Sequence, residues 1–319
     1  MIKNRNILVA IVGPTAVGKS NLAIRLAKSL NGEILNGDSR LVYRQMDIGT
    51  DKPSLANRSE VKHHLIDILN PDDTYNLSLY LDEARSIVDD TNNVDKVPFL
   101  VGGTGQYIWG LIDGFRSPNV APNNVLRYQL QQKAQDQGSI ALWNQLELVD
   151  PLSASKIDYR NTRRIIRALE VYLETGIPIS QAQTKNTNLY ESLIIGLTMD
   201  REHLYNKIDS RIDQMIANGW IEEVKHLLGQ GYSPDMASMY SIGYRDITKH
   251  IEGQMDLDDT ISKIKTDTHR LARSQYAWFK PTDPRIQWFD ASEKSSYEVI
   301  LRMAISHISK STHGDVIIS

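Results

Sequence analysis

One glycine-rich segment has the residue types and spacing of a phosphate-binding loop: Gly, four residues, then Gly-Lys-Ser. The segment consists of Gly13, Pro14, Thr15, Ala16, Val17, Gly18, Lys19 and Ser20. Glycines let the backbone turn its N–H groups inward, and these donors, with the positive end of a following helix, hold phosphate oxygens. Lys19 adds a point charge, and the Ser20 hydroxyl is a candidate Mg²⁺ ligand. The segment therefore predicts a site for the phosphate end of a substrate.

The phosphate loop does not by itself define a reaction. Three classes stay open: a small-molecule kinase, a nucleotide-driven switch, and a transferase whose donor is a diphosphate ester. A switch or an ATPase needs a further acidic residue after an apolar strand to hold Mg²⁺ and position water. The apolar run at 97–101 leads instead to Gly102, Gly103, Thr104 and Gly105, which include no carboxylate. This counts against nucleotide hydrolysis.

A carboxylate follows the second predicted strand. Asp38 lies at the carboxyl end of that strand, where open α/β sheets place their ligands. Its side chain is therefore expected to face the phosphate loop, where it could accept a proton. The alternative is an aspartate that caps the following turn. The position alone leaves both interpretations open.

Two segments carry basic residues at helical spacing. In the first, arginines form one stripe and apolar residues the other: Arg160, Arg163, Arg164 and Arg167 against Ile165, Ile166, Leu169, Tyr172 and Leu173. In the second, at 263–280, basic residues alternate with aromatic ones: His269, Arg270, Arg273 and Lys280 with Tyr276, Trp278 and Phe279. One interpretation is contact with nucleic-acid phosphates and stacking on unpaired bases; the other is a solvated helix surface over an aromatic core. Four arginines on one stripe favour phosphate contact.

These groups need a scaffold, and the sequence predicts alternating strands and helices. Apolar runs predict strands at 7–12, 33–35, 64–69 and 97–101, with helices at 20–30 and 77–90 between them. Such alternation predicts an α/β fold with a P-loop and a doubly wound, mostly parallel sheet. After Pro118 only helices follow, at 124–137, 140–148 and 161–174, before a strand at 192–197 and helices at 201–228 and 259–280. We therefore predict a core of residues 1–118 and 190–319, an inserted all-helical domain at 119–189, and fraying from residue 310.

The composition limits the alternatives. The 319 residues are 41% hydrophobic and 24% charged, as in an ordinary globular protein, and the net charge of −3 argues against indiscriminate coating of nucleic acid. The absence of cysteine excludes disulfides, thiolate zinc sites and cysteine nucleophiles, and fits a cytoplasmic location. The first apolar run is too short to span a membrane. We expect no membrane association, no zinc and a monomer, and we expect the adjacent His63 and His64 to be structural.

Six blocks are distributed over nearly the whole chain: GPTAVGKS, NGDSRLVYRQMDIGTDKP, VGGTGQY, RNTRRIIRALEVY, SIGYRD and HRLARSQYAWFK. Together they resemble the tRNA dimethylallyltransferase family, also called tRNA isopentenyltransferases, in its bacterial type. The resemblance implies transfer of a dimethylallyl group from dimethylallyl diphosphate to the exocyclic N6 amino group of the adenosine immediately 3′ of the anticodon in tRNA, with release of diphosphate. It also implies the tRNA anticodon loop as partner and Mg²⁺ as cofactor, with the metal at Ser20.

The family's residue roles fall on matching positions of this chain. Asp38 takes the place of the general base, and Thr104 that of the characteristic threonine of the glycine-rich turn. The positions implied to bind tRNA are Asp38, Ser39, Arg40, Leu41, Thr104, Arg127, Arg163, Arg164, Arg167, Arg273 and Gln275. The chain departs from the family pattern at Ser274, where arginine or lysine is common, and at Gln106, where leucine is usual.

The implied chemistry is consistent with these residues. An adenine amino group is a poor nucleophile, so a carboxylate that accepts its proton during attack lowers the barrier. Backbone N–H groups, Lys19 and Mg²⁺ at Ser20 suit the charge that develops on a diphosphate leaving group. The adenosine is expected to be extruded into a cleft between core and insertion. Three alternatives stay open: a small-molecule kinase, a non-catalytic RNA-binding module, and an adenylate isopentenyltransferase, against which the arginine stripe argues.

Overall fold

The computed structural model describes residues 6–118 and 120–312, the side chain of Thr312 excepted. Within these residues, six strands form one sheet: β1 (Ile7–Val12), β2 (Gly32–Asn36), β3 (His63–His64), β4 (Val97–Val101), β5 (Glu191–Thr198) and β6 (Ile286–Asp290). Their order is β3-β2-β4-β1-β5-β6, and each neighbouring pair is parallel. The chain starts in the middle of the sheet, winds to one edge, and then builds the other side. The predicted α/β class with a parallel sheet is confirmed.

The central strands are apolar along their whole length. Every residue of β1 and of β4 is buried. Continuous runs rich in β-branched residues suit strands that have neighbours on both sides and helices over both faces. β1 pairs with β4 on one side, Ile11 opposite Val101, and with β5 on the other, Ile11 opposite Ile195. Because these strands are parallel, the loops that follow them leave from the same edge of the sheet.

Helices connect and follow the strands, and those of the described residues are numbered in chain order. They are α1 (Lys19–Ser29), α2 (Leu55–Glu60), α3 (Leu77–Asn93), α4 (Gly105–Ile112), α5 (Asn124–Gln137), α6 (Ser139–Val149), α7 (Pro151–Ala154), α8 (Thr162–Thr175), α9 (Ile179–Ala182), α10 (Arg201–Ala217), α11 (Trp220–Gly229), α12 (Tyr244–Ile251), α13 (Leu257–Trp278) and α14 (Ser296–Thr312).

The chain divides into two compact units. The core unit consists of Met1–Ile112 and Asn188–Ser319 and contains the sheet; the helical unit consists of Asp113–Thr187 and contains α5 to α9. The helical unit has a hydrophobic core of its own, with Leu142, Leu146 and Ile165 fully buried. The sequence-based boundaries, 118/119 and 189/190, lie six and two residues after these divisions.

The strand predicted at 64–69 is wrong beyond its first residue. The structure has a strand only at His63–His64, paired with β2, and an isolated bridge between Tyr43 and Leu69. Leu65 and Asp67 adopt left-handed backbone angles, with φ of 58° and 57°, which a strand does not allow. Leu65 is therefore buried by a folded-back turn, and Ile66, Ile68 and Leu69 are partly buried in it.

The single helix predicted at 201–228 is also wrong, because the structure breaks it into α10 and α11. Asn218 ends the first helix, and Gly219 starts the second with φ of 100°. An Asn-Gly pair is a common helix stop, so the break had a signal in the sequence. Helices α2, α4, α7, α9, α12 and α14 and strand β6 were not predicted. At the end expected to fray, residues 310–312 are helical, and 313–319 lie outside the described residues.

Candidate active site

Three adjacent strands deliver the chemical groups to one edge of the sheet. β2, β4 and β1 are neighbours in that order. Asp38 follows β2, Thr104 follows β4, and the phosphate loop follows β1. Carboxyl ends of parallel strands meet at one edge of the sheet, so these three segments converge although the sequence separates them. The predicted meeting of Asp38 and Thr104 with the phosphate loop is thus the arrangement in the structure.

The phosphate loop requires glycine at its first position. Gly13 has φ of 140°, and a Cβ atom there would lie 2.3 Å from the carbonyl oxygen of Leu197. The loop ends at α1, which begins at Lys19 after Gly18. Gly18 has no side chain that could cap the first N–H groups of the helix, and uncapped N–H groups suit a helix end that binds an anion.

Lys19 folds back over its own loop. Its Nζ donates to the carbonyl oxygens of Gly13, at 3.0 Å, and Pro14, at 2.7 Å. Part of the residue reaches the surface, but burial of the ammonium lowers the pKa of Lys19 from 10.5 to about 8. An ammonium has three N–H donors, so one is left to contact a phosphate.

The residues beside Lys19 fit a substrate-bound Mg²⁺. The exposed Ser20 and the carboxylate of Asp38 both line the larger of the two cavities described below. No group of three His, Cys, Asp or Glu side chains suited to a metal occurs in the described part of the chain. Few protein ligands, all hard oxygens, are typical of Mg²⁺, which keeps waters and phosphate oxygens in its shell.

Asp38 lies in a tightly hydrogen-bonded turn. The side-chain Oδ1 of Asn36 accepts from the Asp38 backbone N–H at 2.8 Å, and Asn36 Nδ2 donates to the Asp38 carbonyl oxygen at 2.9 Å. Oδ1 of Asp38 accepts from the backbone N–H of Arg40 at 2.8 Å. The turn-capping interpretation of Asp38 is therefore correct. It does not exclude a proton-accepting role, because a carboxylate has two oxygens with several lone pairs.

Thr104 is tied to the same turn. Its backbone N–H donates to the carbonyl oxygen of Gly37 at 3.2 Å, and its Oγ1 accepts from the backbone N–H of Ser39 at 3.1 Å. The Thr104 hydroxyl therefore lies next to the residues that flank Asp38. The Thr104 hydroxyl donates its own proton to the Ser39 hydroxyl in a long, 3.5 Å hydrogen bond.

Two cavities of the core unit meet at Asp38. The larger, of about 840 Å³, is lined by the phosphate loop and by polar residues of α10. The smaller, of about 380 Å³, has Asp38 and Thr104 on one wall and apolar residues on others, among them Met215, Trp220, Ile242 and Trp278. Asp38 and Thr15 line both cavities. Asp38 thus lies between the cavity that the phosphate loop lines and a partly apolar one.

Arg211 of α10 was not singled out from the sequence. Its Nη2 donates to Thr15 Oγ1 and its Nη1 contacts Asp51 Oδ2, each at 2.7 Å. It lines both cavities and brings a second cation to the phosphate loop. A lone arginine in a charged helix carries no sequence signal, so only the packing of α10 against the loop reveals it.

The residues of the core unit implied to bind tRNA differ in their surroundings. Gln275 is buried and contacts Thr15 and Gly103, whereas Arg273 is exposed and donates from Nη1 to the hydroxyl of Tyr205 at 2.7 Å. Arg40 donates from Nη1 to the Ala237 carbonyl oxygen at 2.9 Å. Ser39 and Arg40 line the smaller cavity, and Leu41 lines the larger.

The aromatic residues near the end of α13 were interpreted either as core residues or as platforms for unpaired bases, and the structure contains both kinds. Phe279 is fully buried, whereas Trp278 is 43% exposed and lines the smaller cavity. The former belongs to the core, and the latter has a surface on which a base can stack.

The four arginines of the helical unit that are implied to bind tRNA divide into two pairs. Arg163 and Arg164 are exposed on α8. Arg127 and Arg167 both contact Glu170, whose side chain is fully buried, at 2.7 Å and 2.6 Å. Arg160 precedes α8 and pairs with Asp158, so it is not part of the helical stripe.

Comparison with known proteins identifies the family. A family model described as IPP transferase matches residues 41–282, which is most of the chain. The chain belongs to the IPP transferase family. The chain is 42% identical over 99% of its length to the tRNA dimethylallyltransferase of Thermomicrobium roseum, covering 96% of that protein. It is 47% identical over 90% of its length to the one of Carboxydothermus hydrogenoformans, covering 93% of that protein.

Solved structures agree with this membership. The chain is similar to the tRNA isopentenylpyrophosphate transferase of Bacillus halodurans, with 36% identity and a TM-score of 0.72, covering 97% of this chain and 98% of the other. It is also similar to a eukaryotic dimethylallyltransferase described as acting on tRNA, with 26% identity and a TM-score of 0.80, covering 98% and 81%. The resemblance seen in the six sequence blocks is confirmed. Within the described residues, no helix has the length and apolar character needed to cross a bilayer.

Proposed function

We propose that this protein moves a dimethylallyl group from dimethylallyl diphosphate to N6 of the adenosine immediately 3′ of the anticodon in tRNA. The relatives named above are tRNA dimethylallyltransferases, and the eukaryotic neighbour is described as acting on tRNA. The observation that carries the proposal is the position of Asp38 on the walls of both cavities. A base at that point can serve a nucleophile on one side and a phosphorylated donor on the other.

The diphosphate of the donor would bind in the larger cavity. Three kinds of donor there are suited to bind its anionic oxygens: the first N–H groups of α1, the remaining N–H of the Lys19 ammonium and the guanidinium of Arg211. Mg²⁺, with Ser20 as its protein ligand, would supply neutralising charge to the diphosphate. These groups favour departure of diphosphate, because they stabilise the negative charge that grows on it.

The substrates and Asp38 together account for every bond and proton that changes in the transfer. The lone pair of N6 forms a bond to C1 of the dimethylallyl group, and the C1–O bond breaks with its electrons leaving on diphosphate. Asp38 takes the proton from N6 as the new bond forms. Thr104, hydrogen-bonded to the residue next to Asp38, orients this turn and offers a hydroxyl to the acceptor.

The tRNA would be bound through its backbone and its unpaired bases. Arg163 and Arg164 present exposed guanidiniums for phosphates, and Arg127 and Arg167 are held in place by Glu170. Sequence-specific RNA recognition favours splayed loop bases over A-form grooves, which suits an adenosine beside an anticodon. We further propose a cytoplasmic, monomeric, zinc-free enzyme.

The proposal is tested by following two labels. The protein is incubated with dimethylallyl diphosphate labelled in its dimethylallyl group, and separately with ATP labelled in its γ-phosphate, each against bulk tRNA and against AMP. Label from dimethylallyl diphosphate in tRNA supports the proposal. Label on AMP alone would indicate an adenylate isopentenyltransferase, and label from ATP on a small acceptor, with none in tRNA, would indicate a kinase. Either result contradicts the proposal.

A further inference from the structure

A single carboxylate of α11 holds a turn that lies between the two cavities. The turn comprises residues 46–51, with the sequence MDIGTD. Oε2 of Glu223 accepts from the backbone N–H groups of Asp47 and Ile48, each at 2.7 Å, and its Oε1 accepts from that of Gly49 at 3.2 Å. The hydroxyl of Tyr244 donates to Oε1 at 2.7 Å. Three consecutive backbone donors therefore converge on Glu223.

The same helix also packs against the turn. Trp220 is 2% exposed, and a Cβ atom on Gly49 would lie 2.0 Å from its Nε1. The backbone at Gly49 therefore lies directly on the indole. The Tyr244 ring meets that indole edge to face, with centroids 5.8 Å apart. Helix α11 thus fixes the turn by hydrogen bonds and by packing together.

The far end of the turn reaches the phosphate loop through Arg211. Asp51 has φ of 55°, a left-handed conformation that non-glycine residues adopt rarely, aspartate and asparagine more often than the others. Its Oδ2 lies 2.7 Å from Nη1 of Arg211, whose Nη2 donates to Thr15 at 2.7 Å. Asp51 lines both cavities. Strained residues persist where surrounding contacts over-determine them, and they cluster at functional sites.

We propose that Glu223 is a positioning residue for the donor site. It holds the 46–51 turn so that Asp51 directs Arg211 onto the phosphate loop, and Tyr244 of the SIGYRD block holds Glu223 in turn. The inference rests on the proposed function in that it takes a diphosphate as the ligand of that loop. It gives a role to Glu223 and Tyr244, neither of which contacts the phosphate loop or Arg211 directly.

Exchange of Glu223 for glutamine isolates this role. The amide keeps the shape of the side chain but replaces one accepting oxygen by an NH₂ donor. That donor would face backbone N–H groups, so the turn loses part of its anchorage while Trp220 keeps its packing. Glu222→Gln is the matched control, because it changes the same charge on the adjacent, exposed residue.

The first measurement is calorimetric binding of inorganic diphosphate in the presence of Mg²⁺. We expect Glu223→Gln to raise the Kd about tenfold, the loss of one hydrogen bond to a charged group, while Glu222→Gln changes it less than about twofold. Tyr244→Phe removes one hydroxyl and is expected to raise the Kd by about threefold. Equal Kd values for the unaltered protein and Glu223→Gln would overturn the proposal.

A double-mutant cycle shows whether Glu223 acts through Asp51. Asp51→Asn with Glu223→Gln is expected to have about the Kd of Asp51→Asn alone, whereas independent, multiplicative effects would overturn the relay.

In transfer assays with Glu223→Gln, KM for dimethylallyl diphosphate is expected to rise while KM for tRNA stays within about twofold. A purely structural defect would instead lower the melting temperature and the active fraction. Failure of the unaltered protein to prenylate tRNA would contradict the proposed function. The effect of Glu223→Gln on the Kd for diphosphate would still test the positioning role.

Discussion

The side-chain Oε1 of Gln275 accepts a 2.8 Å hydrogen bond from the backbone N–H of Thr15, 260 positions earlier in the chain. Its Nε2 donates to the carbonyl oxygen of Gly103 at 3.3 Å. The residue is 5% exposed. One buried amide of α13 therefore joins the phosphate loop to the glycine-rich turn that carries Thr104.

Gln275→Met is expected to weaken donor use more than tRNA binding. Methionine fills a similar volume but leaves the Thr15 N–H and the Gly103 carbonyl unpaired, so we predict a loss of about tenfold in kcat/KM for dimethylallyl diphosphate. The tRNA Kd should change less than about twofold. The exposed Gln287→Met serves as control. A large rise in the tRNA Kd with unchanged donor kinetics would instead support the direct tRNA contact implied by the family resemblance.

The lowered pKa of Lys19 predicts a limb in the pH profile. Burial brings the pKa to about 8, so in the free enzyme the ammonium loses its proton as the pH rises through about 8 instead of 10.5. Only the charged form attracts phosphate, and log kcat/KM for dimethylallyl diphosphate at saturating tRNA should therefore fall above about pH 8. Lys19→Arg should remove this limb, since a guanidinium stays charged. A flat profile up to about pH 9.5 in the unaltered enzyme would refute the assignment.

The arginines of α8 should differ in what their removal costs. Arg163→Ala is expected to reduce the slope of log K against log salt for tRNA by roughly 0.7 to 0.9, without loss of stability. Arg167→Ala should reduce it similarly and also destabilise the protein by about 1–3 kcal/mol, because the buried Glu170 loses a partner. Salt titrations and urea denaturation measure the two effects. Unchanged slopes would contradict the prediction that Arg163 and Arg167 contact tRNA phosphates.

Glu33 predicts an acid-sensitive contribution to stability. Burial alone would raise its pKa, but hydrogen bonds from Lys96 and His64 outweigh burial and lower it from 4.5 to about 2. A depressed carboxyl pKa stabilises the fold above the unfolded value, and this stabilisation is lost as the pH falls through the folded value. The free energy of unfolding of Glu33→Gln should lie roughly 3.5 kcal/mol below that of the unaltered protein at pH 7, since the pKa falls from 4.5 to about 2 and one pKa unit corresponds to about 1.4 kcal/mol. The gap should narrow between about pH 5 and 2, and a constant gap would contradict this account. The contact of His64 Nε2 with Glu33 Oε2 is structural, in line with the role expected for this histidine.

The sequence was most informative where local chemistry and tertiary position coincide. Gly13 and Lys19 could be recognised because the phosphate loop is contiguous, and β1 and β4 because a doubly buried strand must be apolar throughout. The segment at 64–69 misled because apolar residues also line a buried turn, and the left-handed angle of Leu65 has no signature in residue type.

The rest of the site depends on contacts between distant segments. Arg211, Glu223 and Gln275 act on loops 160 or more positions away along the chain, which no spacing rule relates to them. The pairing of Arg127 and Arg167 with Glu170 is of the same kind, because a stripe of arginines does not reveal the buried carboxylate behind it.

The central claim, that Asp38 accepts the proton of the acceptor amine, is tested most directly by single-turnover prenyl transfer to tRNA with Asp38→Asn. Asparagine keeps the oxygen that accepts from the Arg40 N–H, so the turn is retained while the base is lost. We predict a fall in the transfer rate of about 10²- to 10⁴-fold, with the tRNA Kd within about threefold of the unaltered value. Asp38→Ala should abolish transfer with the tRNA affinity nearly intact. A transfer rate for Asp38→Asn close to that of the unaltered enzyme would contradict the account.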